Sequence, residues 1–237
     1  MNEYKVLLLD LDGTLLDIEV SFFLGPMVNA MHRCFQDILD MDRFREGLFG
    51  GTEAIMVEAR SDGESNRDGF HRVFGQITGL ADGQFVERFD YFYRKVFPTL
   101  TGYGRPVKGA PKLVLKAAAR GYTLCLATNP IFPVSAVVER MGWAGLDPDT
   151  FSFIPGLENM STCKPRVDYY LELCSVLGVS PSDCLMVGND VQQDLPASKT
   201  GMGTFLVEGR VVDRGKTDLV PDARGSLGDL ERILGLE

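Results

Sequence analysis

The apolar run Tyr4 to Leu9, broken only by Lys5, lies roughly a hundred residues ahead of YTLCLAT, the next segment of any length with the texture of a strand. A continuous apolar run suits a central parallel strand covered on both faces, and such a strand needs partners. What intervenes reads as helix. Met27, Met31, Phe35, Ile38 and Leu39 fall at helical intervals, as do Phe70, Phe74 and Ile77, and again Phe85, Phe89, Phe92 and Val96. A structureless loop of that length is unusual in a compact chain. The stretch from Leu16 to about Leu100 is therefore predicted to be an inserted helical domain over the carboxyl end of the first strand.

Past the Gly- and Pro-rich connector TLTGYGRPVKGAP, helix and strand alternate. The helix KGAPKLVLKAAARG stops at Gly121, YTLCLAT is a strand, FPVSAVVERMG a helix and FSFI a short strand. RVDYYLELCSVLG is a helix closed by Gly178, CLMV a strand, QQDLPASKTG a helix bent at Pro196, GTFLV the last strand and SLGDLERIL a terminal helix. This order predicts an α/β protein, an open parallel Rossmann-like sheet with helices on both faces. The α/β core takes residues 1–16 and 101–237 and the all-helical domain residues 17–100. Segments near Leu16 and Thr101 are predicted to pair as hinge strands.

Composition narrows the partners. Thirty-three acidic residues against 24 basic give a formal charge of -9, a field that disfavours nucleic acid and anionic membrane while permitting a local cationic pocket. No apolar run approaches the ~20 residues that span a bilayer, and no leader is seen. Five scattered cysteines without a CxxC pair read as reduced thiols of a cytoplasmic protein. Monomer and homodimer are both open.

In an open parallel sheet the ligand crevice lies beyond the strands' carboxyl ends, and each predicted end carries polar groups. Asp10 and Asp12 follow the first strand, Thr128 and Asn129 follow YTLCLA, Lys164 comes shortly after FSFI, and Asn189, Asp190 and Asp194 follow CLMVG. Burying unpaired carboxylates is costly, so a cluster of them with one ammonium calls for a cation and an anionic ligand. Magnesium suits hard carboxylate oxygens completed by a substrate phosphate. Gly13 and Gly188 allow the sharp turn and close approach that such a ligand needs.

Asp10-Leu11-Asp12-Gly13-Thr14, Thr128-Asn129, Lys164-Pro165 and Gly188-Asn189-Asp190 with Asp194 resemble, in order, the four motifs of the haloacid dehalogenase-like superfamily. The helical insert resembles that family's cap between the first two motifs. The resemblance implies a magnesium-dependent phosphatase acting on a small phosphorylated molecule. By it, Asp10 is the nucleophile that becomes an aspartyl-phosphate, and Asp12 is the acid and base. Lys164 serves catalysis and, with Thr128 and Asn129, the phosphoryl group. Asp10, the Asp12 carbonyl and Asp190 hold the metal, with Asp194 ligating it or holding a metal-bound water and Lys164. Family dehalogenases lack the second aspartate, so Asp12 argues for phosphate-ester chemistry. A phosphosugar mutase of the same superfamily and a non-catalytic protein on this scaffold are the alternatives.

Other features read more plainly. Cys163 reads as inert, His32 and His71 as helix-surface residues, and Phe85, Phe89 and Phe92 as core of the insert. GLFGGTEAI is expected to be a turn facing the site, with a helix starting near Thr52 as the plainer reading. Any of Arg33, Arg43, Arg60, Arg67 or Arg72 turned inward would suit a second anionic group on the substrate.

Overall fold

The computed structural model describes residues 4–58 and 63–237. In chain order the strands are β1 (Val6–Leu9), β2 (Leu16–Ile18), β3 (Gly104–Pro106), β4 (Thr123–Leu126), β5 (Cys184–Gly188), β6 (Gly203–Val207) and β7 (Ala223–Gly225). Five of them form a sheet in the order β4-β1-β5-β6-β7, and every pairing is parallel. β1 is central, with Leu8 opposite Cys125 on one side and Met186 on the other.

Alternation along the strands sends side chains to two faces. Leu7 and Leu9 join Leu124, Leu126, Leu185 and Val187 on one face, and Val6 and Leu8 join Cys125, Cys184 and Met186 on the other. The apolar run is thus explained by burial on both sides. The chain leaves β1 toward β4 but leaves β5 toward β6, so a crevice opens between the carboxyl ends of β1 and β5.

β2 and β3 form a separate antiparallel ribbon, Asp17 opposite Arg105, from which the helical insert springs. The expected pairing is present, three residues beyond Thr101, which itself lies in a 3-10 turn. The insert holds α1 (Val20–His32), α2 (Met41–Val57), α3 (Asn66–Thr78) and α4 (Asp82–Tyr91). Phe35, Phe44, Phe70, Phe74, Phe85 and Phe89 are buried together, with ring centroids 4.8 to 6.3 Å apart. Phe85, Phe89 and Phe92 are core, as their spacing predicts.

After β3 come α5 (Ala110–Ala119), α6 (Val134–Trp143), α7 (Val167–Leu177) and α8 (Leu227–Ile233). Leu113, Val137, Met141 and Leu230 cover the first face of the sheet, and Tyr169, Tyr170 and Leu173 of α7 cover the second. Among the described residues no helix is long and apolar enough to cross a membrane.

Several expectations give way to the structure. GLFGGTEAI is no turn: it lies inside α2, whose N-cap is Asp40, accepting the Arg43 N–H at 2.8 Å. A Cβ at Gly47 would come within 2.6 Å of Thr78 and one at Gly51 within 2.8 Å of Phe70, so these glycines let α2 and α3 pack closely. FSFI reduces to a single parallel bridge from Phe153 to Cys125, cut short by Pro155. QQDLPASKTG supplies only a 3-10 turn, Leu195–Thr200. GTFLV is followed by a further strand, β7, too short to show a period.

Candidate active site

Asp10 extends β1 by one step, its N–H donating to the Val187 carbonyl of β5 at 2.9 Å. The chain then turns at Gly13, φ +83°, where a Cβ would sit 2.3 Å from Asn189 Nδ2. Only glycine permits both the conformation and the approach. Thr14 Oγ1 lies 3.0 Å from Asp10 Oδ2 and 3.0 Å from Asn189 Oδ1, linking the loop after β1 to the loop after β5.

Lys164 is 1% exposed, and its Nζ donates to Asp10 Oδ1 at 3.0 Å and to Asp194 Oδ1 at 2.6 Å. Burial alone would pull the ammonium down, but the Asp10 and Asp194 charges outweigh it and leave Lys164 above its ordinary value. Burial raises the Asp194 carboxyl against the opposing pull of Lys164. Asp194 Oδ2 accepts the Asp190 N–H at 2.8 Å, so both its oxygens are engaged by protein. Asn129 Oδ1 accepts the Lys164 main-chain N–H at 3.2 Å, and Tyr169 donates its hydroxyl to the Thr128 carbonyl at 2.8 Å. Residues from four loops thereby meet in one network around a buried ammonium.

Asp12 stands apart from that network. Its Oδ2 accepts from Arg140 Nη2 at 2.5 Å, while its Oδ1 is buried with no hydrogen-bond partner. Burial pushes the Asp12 carboxyl up, Arg140 pulls against this, and the Asp10 charge adds to the rise. Arg140 is 2% exposed and lies over the Phe132 ring, Cζ to centroid 4.8 Å. Sequence reasoning missed it. The signal was its phase: Ala136, Val137, Arg140 and Met141 share the buried face of α6, and a charge there needs a partner.

Asp190 is half-buried and paired on the far side of that network. Arg214 grips its carboxylate at 2.8 and 2.9 Å, and the Gln192 and Gln193 N–H groups donate to Oδ1 at 3.0 and 3.1 Å. Arg214 was likewise unforeseen, lying in a stretch with no periodicity.

Among the described residues no group of three carboxylate, imidazole or thiolate side chains is gathered closely enough to hold a metal ion. The donors at the crevice are nonetheless hard oxygens, the kind magnesium takes. That ion usually binds through one or two carboxylates completed by substrate and water. The side chains fit magnesium in kind, and they do not fit a cation that demands a cage made wholly of protein.

A cleft of about 590 Å³ opens from Asp12 into the insert. Of the arginines singled out in the insert, Arg67 lines it; Arg43 pairs with Glu46, and Arg72 with Glu58 and Glu64. Arg60 lies outside the described residues. His71 also lines the cleft, and Thr52, expected at a turn, lines it from the middle of α2. Cys163 is wholly buried, its Sγ 3.5 Å from Asn66 Nδ2.

A parallel sheet whose central strand carries paired aspartates into a switch-point crevice, beside a helical insert, places these polar groups where open α/β sheets bind their ligands. A profile of haloacid dehalogenase-like hydrolases matches residues 4–200. The chain is 27% identical over 212 residues to a phosphoglycolate phosphatase of Psychrobacter arcticus, covering 85% of this chain and 82% of that one. It is 26% identical over 205 residues to an N-acetylmuramic acid 6-phosphate phosphatase of Pseudomonas aeruginosa, covering 86% and 81%. The fold matches that of an HAD phosphatase from Thermococcus onnurineus, with a TM-score of 0.60 and 23% identity over 98% of this chain and 99% of that one. The chain belongs to the haloacid dehalogenase-like hydrolase family, and it is an enzyme of that family's phosphatase kind.

Proposed function

We propose that the chain hydrolyses a small-molecule phosphate monoester in two steps through an aspartyl-phosphate on Asp10, with magnesium as cofactor. The observation that carries this reading is the buried Lys164 ammonium shared between Asp10 and Asp194. It gives Asp10 a charged partner and a fixed orientation in a place where a carboxylate alone would be costly. In the first step an Asp10 oxygen attacks phosphorus and the bond to the leaving oxygen breaks. Asp12 donates its proton to that oxygen, and its buried Oδ1 has no protein partner that competes for this.

In the second step Asp12 takes a proton from water, which releases phosphate and restores Asp10. Lys164 and the Thr128 hydroxyl balance the phosphoryl oxygens, while Asn129 holds the Lys164 loop. Asp194 positions Lys164. Asp10, the Asp12 carbonyl and Asp190 would hold magnesium, which supplies charge neutralisation at the phosphoryl group. The helical insert would act as a cap that excludes bulk water.

The test is to quench turnover in acid and locate phosphate by mass spectrometry. The wild type should carry one phosphate on the peptide containing Asp10, and Asp10→Asn should carry none. Chelation should abolish turnover and magnesium should restore it. Full activity in chelator, or phosphate trapped on another residue, would overturn the reading.

A further inference from the structure

Phosphatases in this family do not share one leaving group, since the relatives named above act on phosphoglycolate and on a phosphorylated amino sugar. The cleft that opens from Asp12 carries information on which kind this chain takes. It is the space into which a leaving group released toward Asp12 must go. At about 590 Å³ it is of ordinary ligand-site size. A two-carbon acid, about three water volumes of about 30 Å³ each, would leave most of it wet.

Its walls are apolar and aromatic. Phe23, Met27 and Met31 of α1 face Phe70 of α3, Phe89 of α4 and Phe132 of the loop between β4 and α6. Burial pushes the His71 imidazole below its ordinary value, so at neutral pH it presents an uncharged ring to the same cleft.

The charges lining it disfavour an anionic leaving group. Asp12, Asp68, Asp90 and Glu158 stand against Arg67 and Arg140. Arg140 is spent on Asp12. Arg67 is exposed at the rim, and so are Asp68, Asp90 and Glu158, which outnumber it there. A carboxylate on the leaving group would enter a space with more negative than positive charge and no uncommitted cation at its depth.

We infer that the preferred substrate is the phosphate monoester of a bulky, uncharged alcohol with an aromatic or extended apolar body, seated between α1, α3, α4 and Phe132. This rests on the phosphatase reading and goes further by choosing the leaving group. Arg67 at the rim leaves room for a polar far end, while the part next to the ester oxygen is apolar.

The experiment measures kcat/KM of the wild-type protein with magnesium on ethyl phosphate, 2-phenylethyl phosphate, 2-(1-naphthyl)ethyl phosphate and 2-phosphoglycolate. The three neutral alcohols differ little in acidity, so size and surface are what vary. A rise of about ten-fold or more from the ethyl to the naphthyl ester, carried mainly by KM, is expected, with phosphoglycolate near or below ethyl phosphate. A flat or falling series, or phosphoglycolate as the best substrate, overturns the inference while hydrolysis itself upholds the phosphatase reading. No release from any ester beyond that of Asp10→Asn defeats both. Thr52→Trp narrows the cleft from α2, and its loss on the naphthyl ester should exceed its loss on the ethyl ester about ten-fold. Equal losses, from a variant whose circular dichroism matches wild type, overturn the seating. Competitive inhibition by 2-(1-naphthyl)ethanol but not by ethanol gives the same reading without a variant, and its absence counts against it.

Discussion

Beyond β1 and β5 nearly every polar side chain is tied to another: Lys164 to two aspartates, Thr14 to two loops, Asn129 to the Lys164 backbone. In the insert the residues that matter for shape are phenylalanines packed ring against ring. Directional bonds fix atoms to fractions of an ångström and tolerate few substitutions. Ring packing fixes a volume and tolerates many. The first region can therefore dictate a reaction, while the second can be re-cut to admit a different leaving group without disturbing it. The relatives bear the stamp of that division, since their names agree on phosphate release and differ in what carries the phosphate.

The comparison can be broken most forcefully at Asp10. Asp10→Asn should lower kcat by more than about 10⁴-fold with the fold intact, since the covalent step has no other nucleophile. Asp12→Asn should keep that step for an activated aryl ester and lose turnover. The readout is a burst of about one nitrophenol per chain followed by a rate some 10²- to 10⁴-fold down. No burst, or unimpaired turnover of an alkyl ester, would assign the proton to another group.

Arg140 tests how far directional control reaches from the strand ends. Arg140→Met should lower kcat by about 10²-fold with KM little changed, because Asp12 loses the bond that orients its carboxyl. Arg140→Lys should recover part of it. A change confined to KM would make Arg140 a substrate contact instead.

Phe74 probes the other region. It is wholly buried among Phe35, Phe44, Phe70, Phe85 and Phe89. Phe74→Ala should cost about 3–5 kcal/mol and lower Tm by on the order of 10 °C. Below the transition, ethyl phosphate should still phosphorylate Asp10. Loss of that step in a folded sample would show that the two regions are not separable.

The smallest effect is expected at the ribbon that joins them. Arg105 and Arg210 hold the Asp17 carboxyl below its usual range, and Asp17 is mostly shielded from solvent. A depressed folded pKa contributes stability above the unfolded value, near 4, and loses it as pH falls through the folded one. Asp17→Asn should thus cost about 0.5–1 kcal/mol at pH 7. Urea melts at a series of pH values should show the gap closing as pH falls below the unfolded value, near 4. A gap independent of pH would mean that the charge contributes nothing.

The same contrast explains what could be read from the sequence. Asp10, Lys164 and Asp194 were legible because each follows an apolar run or a Pro or Gly step on the carboxyl side of the sheet, and topology brings such segments together. The aromatic core was legible because period 3.6 survives in Phe85, Phe89 and Phe92. α2 was not, since Gly50 and Gly51 mimic a turn until α3 is there to pack on them. β7 runs three residues, too few to show a period, whereas the equally short β2–β3 ribbon was legible from the Gly- and Pro-rich connector at one end and the turn after Asp12 at the other. Arg140 and Arg214 reach their partners by side chains alone, and a helix face or a loop gives no sign of where those point.

The place of β1 between β4 and β5 has a consequence for biosynthesis. Its two neighbours come from residues 123–126 and 184–188, so both of its ladders close loops of more than about a hundred residues. As a ribosome makes the chain, Asp10 emerges early and has no ammonium beside it until residue 164 has followed and β5 has docked. A chain that stops short of residue 164 should then be not a weak enzyme but an inert one. Appearance of activity in a timed translation reaction would mark the closing of the ladder between β1 and β5.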